Sequence, residues 1–349
     1  MTASIPFLIP GDLATPTGGY AYARALIAHG PAIGLVLDPR RLPADFPRPS
    51  DASLASTAAV LAELPADRPA LVDGLAFGVL PAQVLARARA PLVVLLHHPL
   101  GLETGLDPAD RDRLLVSETA ALGHARAVIV PSRHIAGTLA SGFDVPASRI
   151  TVAPPGTEPV PAAERRGSPP LILSAGTITP RKGFDVLVAA LAQLADLAWT
   201  AAFVGSTDRD PDATAALQAQ IAAAGLADRI LLTGSVAPER MRALFAGADL
   251  FALASHYEGY GMVFAEALAA GLPIVGTTGG AVPELVPAGT GLLVDPGDVG
   301  GLRDALATLL TDRAAADRMA AAARAAGARL PRWDATAGIV KVVLDAAWP

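Results

Sequence analysis

Short apolar runs recur along the chain, each followed by a turn rich in glycine or polar residues and then by a stretch of helix-forming residues. Runs that short and uniformly apolar suit strands buried on both faces, and the helical stretches suit the crossovers a parallel sheet requires. In the first half, strands are predicted at 5–10, 33–37, 71–74, 92–96, 127–130 and 150–152. Helices are predicted at 20–29, 51–64, after the third strand through 89, at 107–125 and up to 141, the last capped by Ser132. From 154 to 170 proline and glycine accumulate without an apolar period, which predicts a linker. A second series follows, with strands at 171–174, 201–206, 230–234, 248–254, 272–275 and 291–294. Its helices are predicted at 184–194, 213–224, 238–246 and 262–270, then through an alanine-rich region ending at 330. A last amphipathic helix carries Trp333, Ala337, Val340 and Leu344 on one face. The expected fold is α/β, with two Rossmann-like domains at 1–160 and 171–330 and a C-terminal helix at 331–349.

Composition narrows the classes. A chain of 349 residues can bury two cores. Hydrophobic residues make up 52% and the mean hydropathy is +0.43. Much of that is alanine, and proline, glycine or charge interrupts every run well before the roughly 18 residues of a membrane helix. No basic segment opens the sequence, so no signal peptide is expected. The absence of cysteine excludes disulfides and thiolate metal sites and fits a reducing cytoplasm. A formal net charge of -6 argues against a nucleic-acid partner. Basic residues are almost all arginine, the only lysines being Lys182 and Lys341, so a lysine in a glycine loop stands out.

Candidate chemistry concentrates from Ser255 to Glu284. Glu258 and Glu266 lie eight residues apart, separated by the turn Gly259-Tyr260-Gly261, and a helix is expected from Met262. The amides from Gly259 to Val263 then point out of a helix N-terminus, where an anion is favoured. A carboxylate on either side of an anion-binding helix end suits a ligand with hydroxyls at both ends and phosphate between them. Upstream, Gly176-Thr177 leads through Arg181-Lys182-Gly183 into another helix, a setting in which cations can neutralise a diphosphate. In the first half, Gly18-Gly19 lies between a strand and a helix, a weak phosphate-cradle signal without the G-x-G-x-x-G fingerprint. His97 and His98 follow a strongly apolar strand, where α/β folds place their ligands.

The run E-G-Y-G-M-V-F-A-E, continuing through A-L-A-A-G-L-P-I-V-G-T-T-G-G-A-V-P-E, resembles the donor-binding signature of retaining GT-B glycosyltransferases of family 4, the glycosyl transferases group 1 type. The resemblance implies two domains facing across a cleft, with the last helix crossing back to the first. It implies that Glu258 contacts hydroxyls of the transferred sugar and Glu266 the ribose. It also implies a lysine before glycine in G-x(5)-K-G, here Lys182. Many members carry arginine after the first glycine of that motif; this chain has Thr177, and Arg181 is the candidate substitute. The histidine beside the donor aligns with His97, and His98 competes for that place. The turn at Ser235-Val236 is implied to face the nucleotide base.

The implied activity is transfer of a hexose from a UDP- or GDP-sugar to an acceptor hydroxyl with retention, in polysaccharide, lipopolysaccharide or glycolipid synthesis. The acceptor would be a carbohydrate or lipid-linked compound. Catalytic roles fall to His97, Arg181, Lys182 and Glu258, with no metal and no cofactor besides the donor. The expected location is the cytoplasm or the inner membrane face, with at most weak peripheral contact, since the charge of the first domain is roughly balanced. A nucleotide-sugar epimerase of the same fold and a non-catalytic two-domain sugar-binding protein are the alternatives. A hydrolase using both glutamates is awkward, because Glu266 lies well inside its helix.

Overall fold

In each half the apolar runs assemble side by side into one six-stranded sheet, and every strand pair is parallel. The computed structural model describes residues 4–348. Two units result: one runs through Gly156 and regains the chain from Pro331, and the other spans Thr157–Leu330.

The first unit contains β1 (Ile5–Pro10), α1 (Gly18–His29), β2 (Leu37–Leu42), α2 (Asp51–Ala62), β3 (Ala70–Asp73), α3 (Gly74–Phe77) and α4 (Ala82–Leu85). It continues with β4 (Leu92–Leu95), α5 (Pro108–Leu122), β5 (Ala127–Val130), α6 (Arg133–Gly142) and β6 (Ile150–Val152). The sheet order is β2-β1-β3-β4-β5-β6. The central strands read as continuous apolar runs because both their faces are covered, as in β1, β3 and β4, which are buried throughout.

The second strand corrects the sequence reading. The apolar run at 33–37 is largely a tight turn, with Gly34 at φ 77°, and the strand is Leu37–Leu42. That strand holds Asp38, Pro39, Arg40 and Arg41 between two buried leucines. It lies at the sheet edge, where proline and exposed charge are tolerated, so it carries no apolar signal. The single helix expected through 89 is likewise two short ones, α3 and α4.

The second unit contains β7 (Leu171–Ala175), α7 (Phe184–Ala192), β8 (Thr200–Val204), α8 (Pro211–Ala223), β9 (Ile230–Gly234) and α9 (Pro238–Gly247). After these come β10 (Leu250–Ala252), α10 (Met262–Ala270), β11 (Ile274–Thr277), α11 (Val282–Leu285), β12 (Gly291–Val294), α12 (Val299–Thr311) and α13 (Arg313–Gly327). The alanine-rich region is therefore two helices, split at Asp312, whose side chain caps α13. Phe251 on β10 anchors the core, its ring 5.3 Å from that of Phe264 on α10 and 6.4 Å from that of Phe245 on α9. Burying such a side chain contributes about 1.5–3 kcal/mol.

The sheet order β12-β11-β10-β7-β8-β9 decides where a ligand can sit. The chain leaves β7 toward β8 on one side and returns to β10 on the other. Loops leaving the carboxyl ends of β7 and β10 therefore part in opposite directions, which opens a crevice. The last helix, α14 (Trp333–Ala346), belongs to the first unit and buries Trp333, Ala337, Val340 and Leu344. The Trp333 ring lies 5.2 Å edge-on to Tyr22 of α1, and Thr336 Oγ1 donates to the Pro154 carbonyl at 2.7 Å.

Candidate functional site

The loops at the crevice of the second sheet carry the sequence's candidate cations and its first carboxylate. After β7 the chain runs through Gly176 and Thr177 into a single helical turn, Pro180–Lys182, and then into α7. Gly183 joins the two at φ 62°, and a side chain there would collide with the Ala254 carbonyl at the end of the β10 run. The two loops thus touch backbone to backbone, and the His256 amide donates to the Arg181 carbonyl at 2.8 Å. The Lys182 stem lies over Gly176, where a Cβ would come within 3.3 Å of its Cδ and Cε.

That packing brings Lys182 Nζ to Glu258 Oε1 at 2.6 Å. Ser255 Oγ donates to the same oxygen at 2.6 Å. Arg181 Nη1 donates to the Tyr257 carbonyl at 2.7 Å and lies 3.7 Å from Glu258 Oε2. The Glu258 side chain is only 7% exposed. Burial alone would raise its pKa, but the charges of Lys182 and Arg181 and the hydrogen bonds from Lys182 and Ser255 outweigh it, and the carboxyl is held below its ordinary range. Two cations against one carboxylate leave a net positive site at the end of a buried sheet.

The backbone of Glu258 is pinned by the glycine pair of the signature. Its amide donates to the Gly279 carbonyl at 3.3 Å, and its carbonyl accepts from Ala281 at 2.8 Å. Gly280, at φ 68°, lies against this backbone so closely that a Cβ would overlap the Glu258 carbonyl. Thr277 donates its hydroxyl to the Ser255 carbonyl. Sequence reasoning missed Ser255 and Thr277 as supports; Ser255 stands only three residues from Glu258, but no spacing rule singles out a hydroxyl.

Glu266 lies on α10, half-buried, with no hydrogen-bond partner among the described residues. Burial pushes its carboxyl up to about 7. The two glutamates of the signature therefore sit in opposite electrical environments, one held ionised by cations and the other near its titration point at neutral pH. Gly261, at φ 94°, precedes α10, and the first amides of that helix lack intrahelical acceptors. Gly259 and Tyr260 form the turn before it, and Met262 opens the helix. Burial, with Glu284 nearby, raises the Tyr260 hydroxyl to about 12. Thr177 is half-buried between β7 and the Pro180–Lys182 turn, flanked by bonds from Gly176 to the Val204 carbonyl at 2.8 Å and from Ile178 to the Ser206 carbonyl at 3.1 Å. Ser235 is exposed and Val236 half-buried in the turn after β9.

In the first unit, the two motifs that were separate in the sequence meet. Thr17 caps α1, so that helix opens at Gly18. A Cβ on Gly19 would lie 2.9 Å from His97 Cδ2, so this backbone rests on the imidazole of His97. The His97 ring also packs edge-on to Tyr22 with centroids 5.2 Å apart. Burial lowers the His97 pKa to about 4, and Nε2 is buried without a hydrogen-bond partner among the described residues. A neutral imidazole with an uncommitted nitrogen is available to a polar ligand atom.

Comparison with known proteins decides the family. The model of "Glycosyl transferases group 1" matches residues 158–326, and that of "Glycosyltransferase Family 4" matches residues 12–160. The chain belongs to the group 1, family 4 glycosyltransferases. A D-inositol 3-phosphate glycosyltransferase of Xylanimonas cellulosilytica is 34% identical over 250 residues, covering 66% of this chain and 60% of the relative. A GDP-mannose-dependent alpha-(1-6)-phosphatidylinositol monomannoside mannosyltransferase of Mycobacterium tuberculosis is 35% identical over 226 residues, covering 59% of this chain and 58% of the relative. The aligned part of the chain thus spans 58–60% of the length of these curated relatives. Among solved structures, sucrose-phosphate synthase from Thermosynechococcus elongatus superposes with a TM-score of 0.84 at 24% identity over 99% of both chains. This likeness shows the GT-B fold. Within this family 4 chain, the crevice of the second unit brings together Lys182, Arg181 and Glu258, and α10 adds Glu266. The first unit brings together Gly19 and His97.

Proposed function

We propose that this family 4 protein transfers a hexose from a nucleoside-diphosphate sugar to an acceptor hydroxyl, with retention of anomeric configuration. The observation that carries this reading is the triad of Lys182, Arg181 and Glu258 at the crevice of the second sheet, a buried carboxylate and two half-buried cations on touching loops. In the reaction, the bond from the anomeric carbon to the diphosphate oxygen breaks, and the acceptor oxygen bonds to the same face of that carbon. The acceptor proton passes to the departing phosphate oxygen. Negative charge grows on the leaving diphosphate, and Lys182, Arg181 and the first amides of α10 stabilise it in an environment that needs little reorganisation. Lys182 has three N–H donors and spends one on Glu258, so it can hold the carboxylate and a phosphate oxygen together. Glu258, kept ionised, accepts from sugar hydroxyls, and Glu266 from the ribose. Ser235-Val236 faces the base, and in the first unit His97 with Gly18-Gly19 offers an imidazole nitrogen to a polar ligand atom. None of these steps calls on a metal ion.

The names of the two relatives support an acceptor that is a phosphorylated polyol or a glycolipid; we propose that it is reached in the cytoplasm or at the inner membrane face. No described helix is long and apolar enough to cross a membrane. The reading is tested by incubating the protein with UDP-glucose or GDP-mannose and D-inositol 3-phosphate or phosphatidylinositol monomannoside, following nucleotide release and product configuration by NMR. Acceptor-dependent release with an unchanged anomeric configuration is expected. An inverted product, or no release from UDP-, GDP- and ADP-sugars alike, would overturn it.

Donor binding is expected to depend on pH through Glu266. Ribose hydroxyls favour the ionised carboxylate, so binding expels its proton, and affinity for UDP or GDP should rise with pH and level off above about 7. The stability of the ligand-free protein moves the other way. The folded pKa lies above the unfolded value of about 4.3, so this contribution is complete below that value and is lost as pH rises through about 7. Calorimetric titration of the wild type and Glu266→Gln across this range checks it; the variant's affinity should be flat with pH.

A further inference from the structure

One fully buried carboxylate lies outside this machinery. Glu118 sits on α5, a helix rich in charge, with no exposed surface. Its Oε2 accepts the Leu100 amide at 2.8 Å, and the Gly101 amide also bonds to the carboxyl. These two amides open the short helical turn Leu100–Leu102, which closes the loop begun at His97 and His98 after β4. Two glycines make room for the arrangement. A Cβ on Gly78 would lie 3.0 Å from Glu118 Oε1 and 3.2 Å from its Cγ. A Cβ on Gly101 would lie 2.6 Å from Leu115 Cγ, so the loop can rest on α5 only without a side chain there.

We propose that Glu118 is a positioning residue: by gripping the amides of Leu100 and Gly101 it fixes the far end of the loop whose near end carries His97. The near end is held by β4, where the Leu96 amide donates to the Ile129 carbonyl at 2.9 Å. With both ends fixed, the His97 imidazole is held against Gly19 and Tyr22. A side chain chosen only to fill space on α5 would be apolar and would leave the two amides unmatched. The remaining oxygen, Oε1, is buried without a partner, so the group is adapted to the loop and not to a network of its own. Burial pushes the carboxyl up to about 8, so it grips the loop as a neutral acid at neutral pH, without a counter-ion. Its effect on turnover rests on the glycosyltransfer reading above; its effect on the loop does not.

The test compares the wild type with Glu118→Gln, which keeps an oxygen acceptor and the side chain's size, and Glu118→Ala, which removes both. Amide hydrogen exchange at Leu100 and Gly101 is read beside UDP affinity and acceptor kinetics, with D-inositol 3-phosphate as trial acceptor and UDP-glucose as donor. Glu118→Ala is expected to speed exchange at both amides at least about tenfold and to lower kcat/KM for the acceptor by about tenfold to a hundredfold. UDP affinity should stay within about twofold, and Glu118→Gln should restore both the protection and the kinetics. Exchange unchanged in Glu118→Ala would overturn the proposal, and so would a Glu118→Gln variant as impaired as Glu118→Ala. If the wild type itself transfers nothing, the glycosyltransfer reading fails, while the exchange comparison still decides whether Glu118 holds the loop.

Discussion

Lys182→Ala is expected to lower turnover of a nucleotide sugar at least about a hundredfold, the scale for removing one preorganised donor from a developing charge. The structure adds a second consequence. Lys182 is the closest cation to Glu258, at 2.6 Å, and both side chains are nearly buried, at 13% and 7% exposed. Without it, Glu258 keeps Ser255 Oγ and the more distant Arg181. Breaking a buried pair by removing one partner costs about 3–5 kcal/mol, and the remaining Arg181 should keep the loss near the lower end. The pH dependence should also weaken. In the wild type the Glu258 pKa is depressed, so its contribution is present above the unfolded value of about 4.3 and is lost as pH falls through the folded one. In Lys182→Ala burial is opposed only by Arg181 and Ser255, so the folded pKa should rise toward the unfolded one and the loss on the acid side should shrink. Thermal unfolding of both proteins between acid and neutral pH measures this; a variant that loses activity with an unchanged pH–stability curve would show that the pair does not set the Glu258 charge.

Glu258→Ala is expected to cut turnover by a similar factor, at least about a hundredfold, but for a different reason. The variant keeps both cations and so retains attraction for a diphosphate, while it loses the acceptor for the sugar hydroxyls. The loss should therefore fall on kcat more than on UDP affinity, whereas Lys182→Ala should weaken both. Isothermal titration with UDP beside steady-state kinetics separates the two. Near-normal turnover in folded Glu258→Ala would remove the carboxylate from the mechanism.

The sequence showed the second unit more clearly than the first, for physical reasons. β7 and β10 are short, apolar and central, and each is followed by a glycine-bearing loop, so β7 and α10 could be placed to within a residue, while β10 is two residues shorter at each end than its apolar run. β2 could not be placed, because an edge strand pairs on one side only and Leu37–Leu42 carries proline and charge. The glutamates and cations stood out by residue type and spacing. Their opposite electrical environments did not, since these depend on burial and on contacts such as that between Lys182 and Glu258, which lie 76 positions apart. The choice between His97 and His98 was equally hidden. Gly19 settles which imidazole packs on the glycine loop, through a contact that no local pattern encodes. Glu118 read as one more charge on a charged helix, because nothing in a single sequence distinguishes a buried carboxylate from a solvated one.

The most direct measurement is the structure of the protein with an intact nucleotide sugar bound, UDP-glucose or GDP-mannose. Lys182 Nζ should lie about 2.7–3.2 Å from a diphosphate oxygen while still touching Glu258, whose carboxylate accepts from hydroxyls of the hexose. A nucleotide sugar bound elsewhere, with Lys182 and Glu258 paired only to each other and to Arg181, would contradict the proposed donor site.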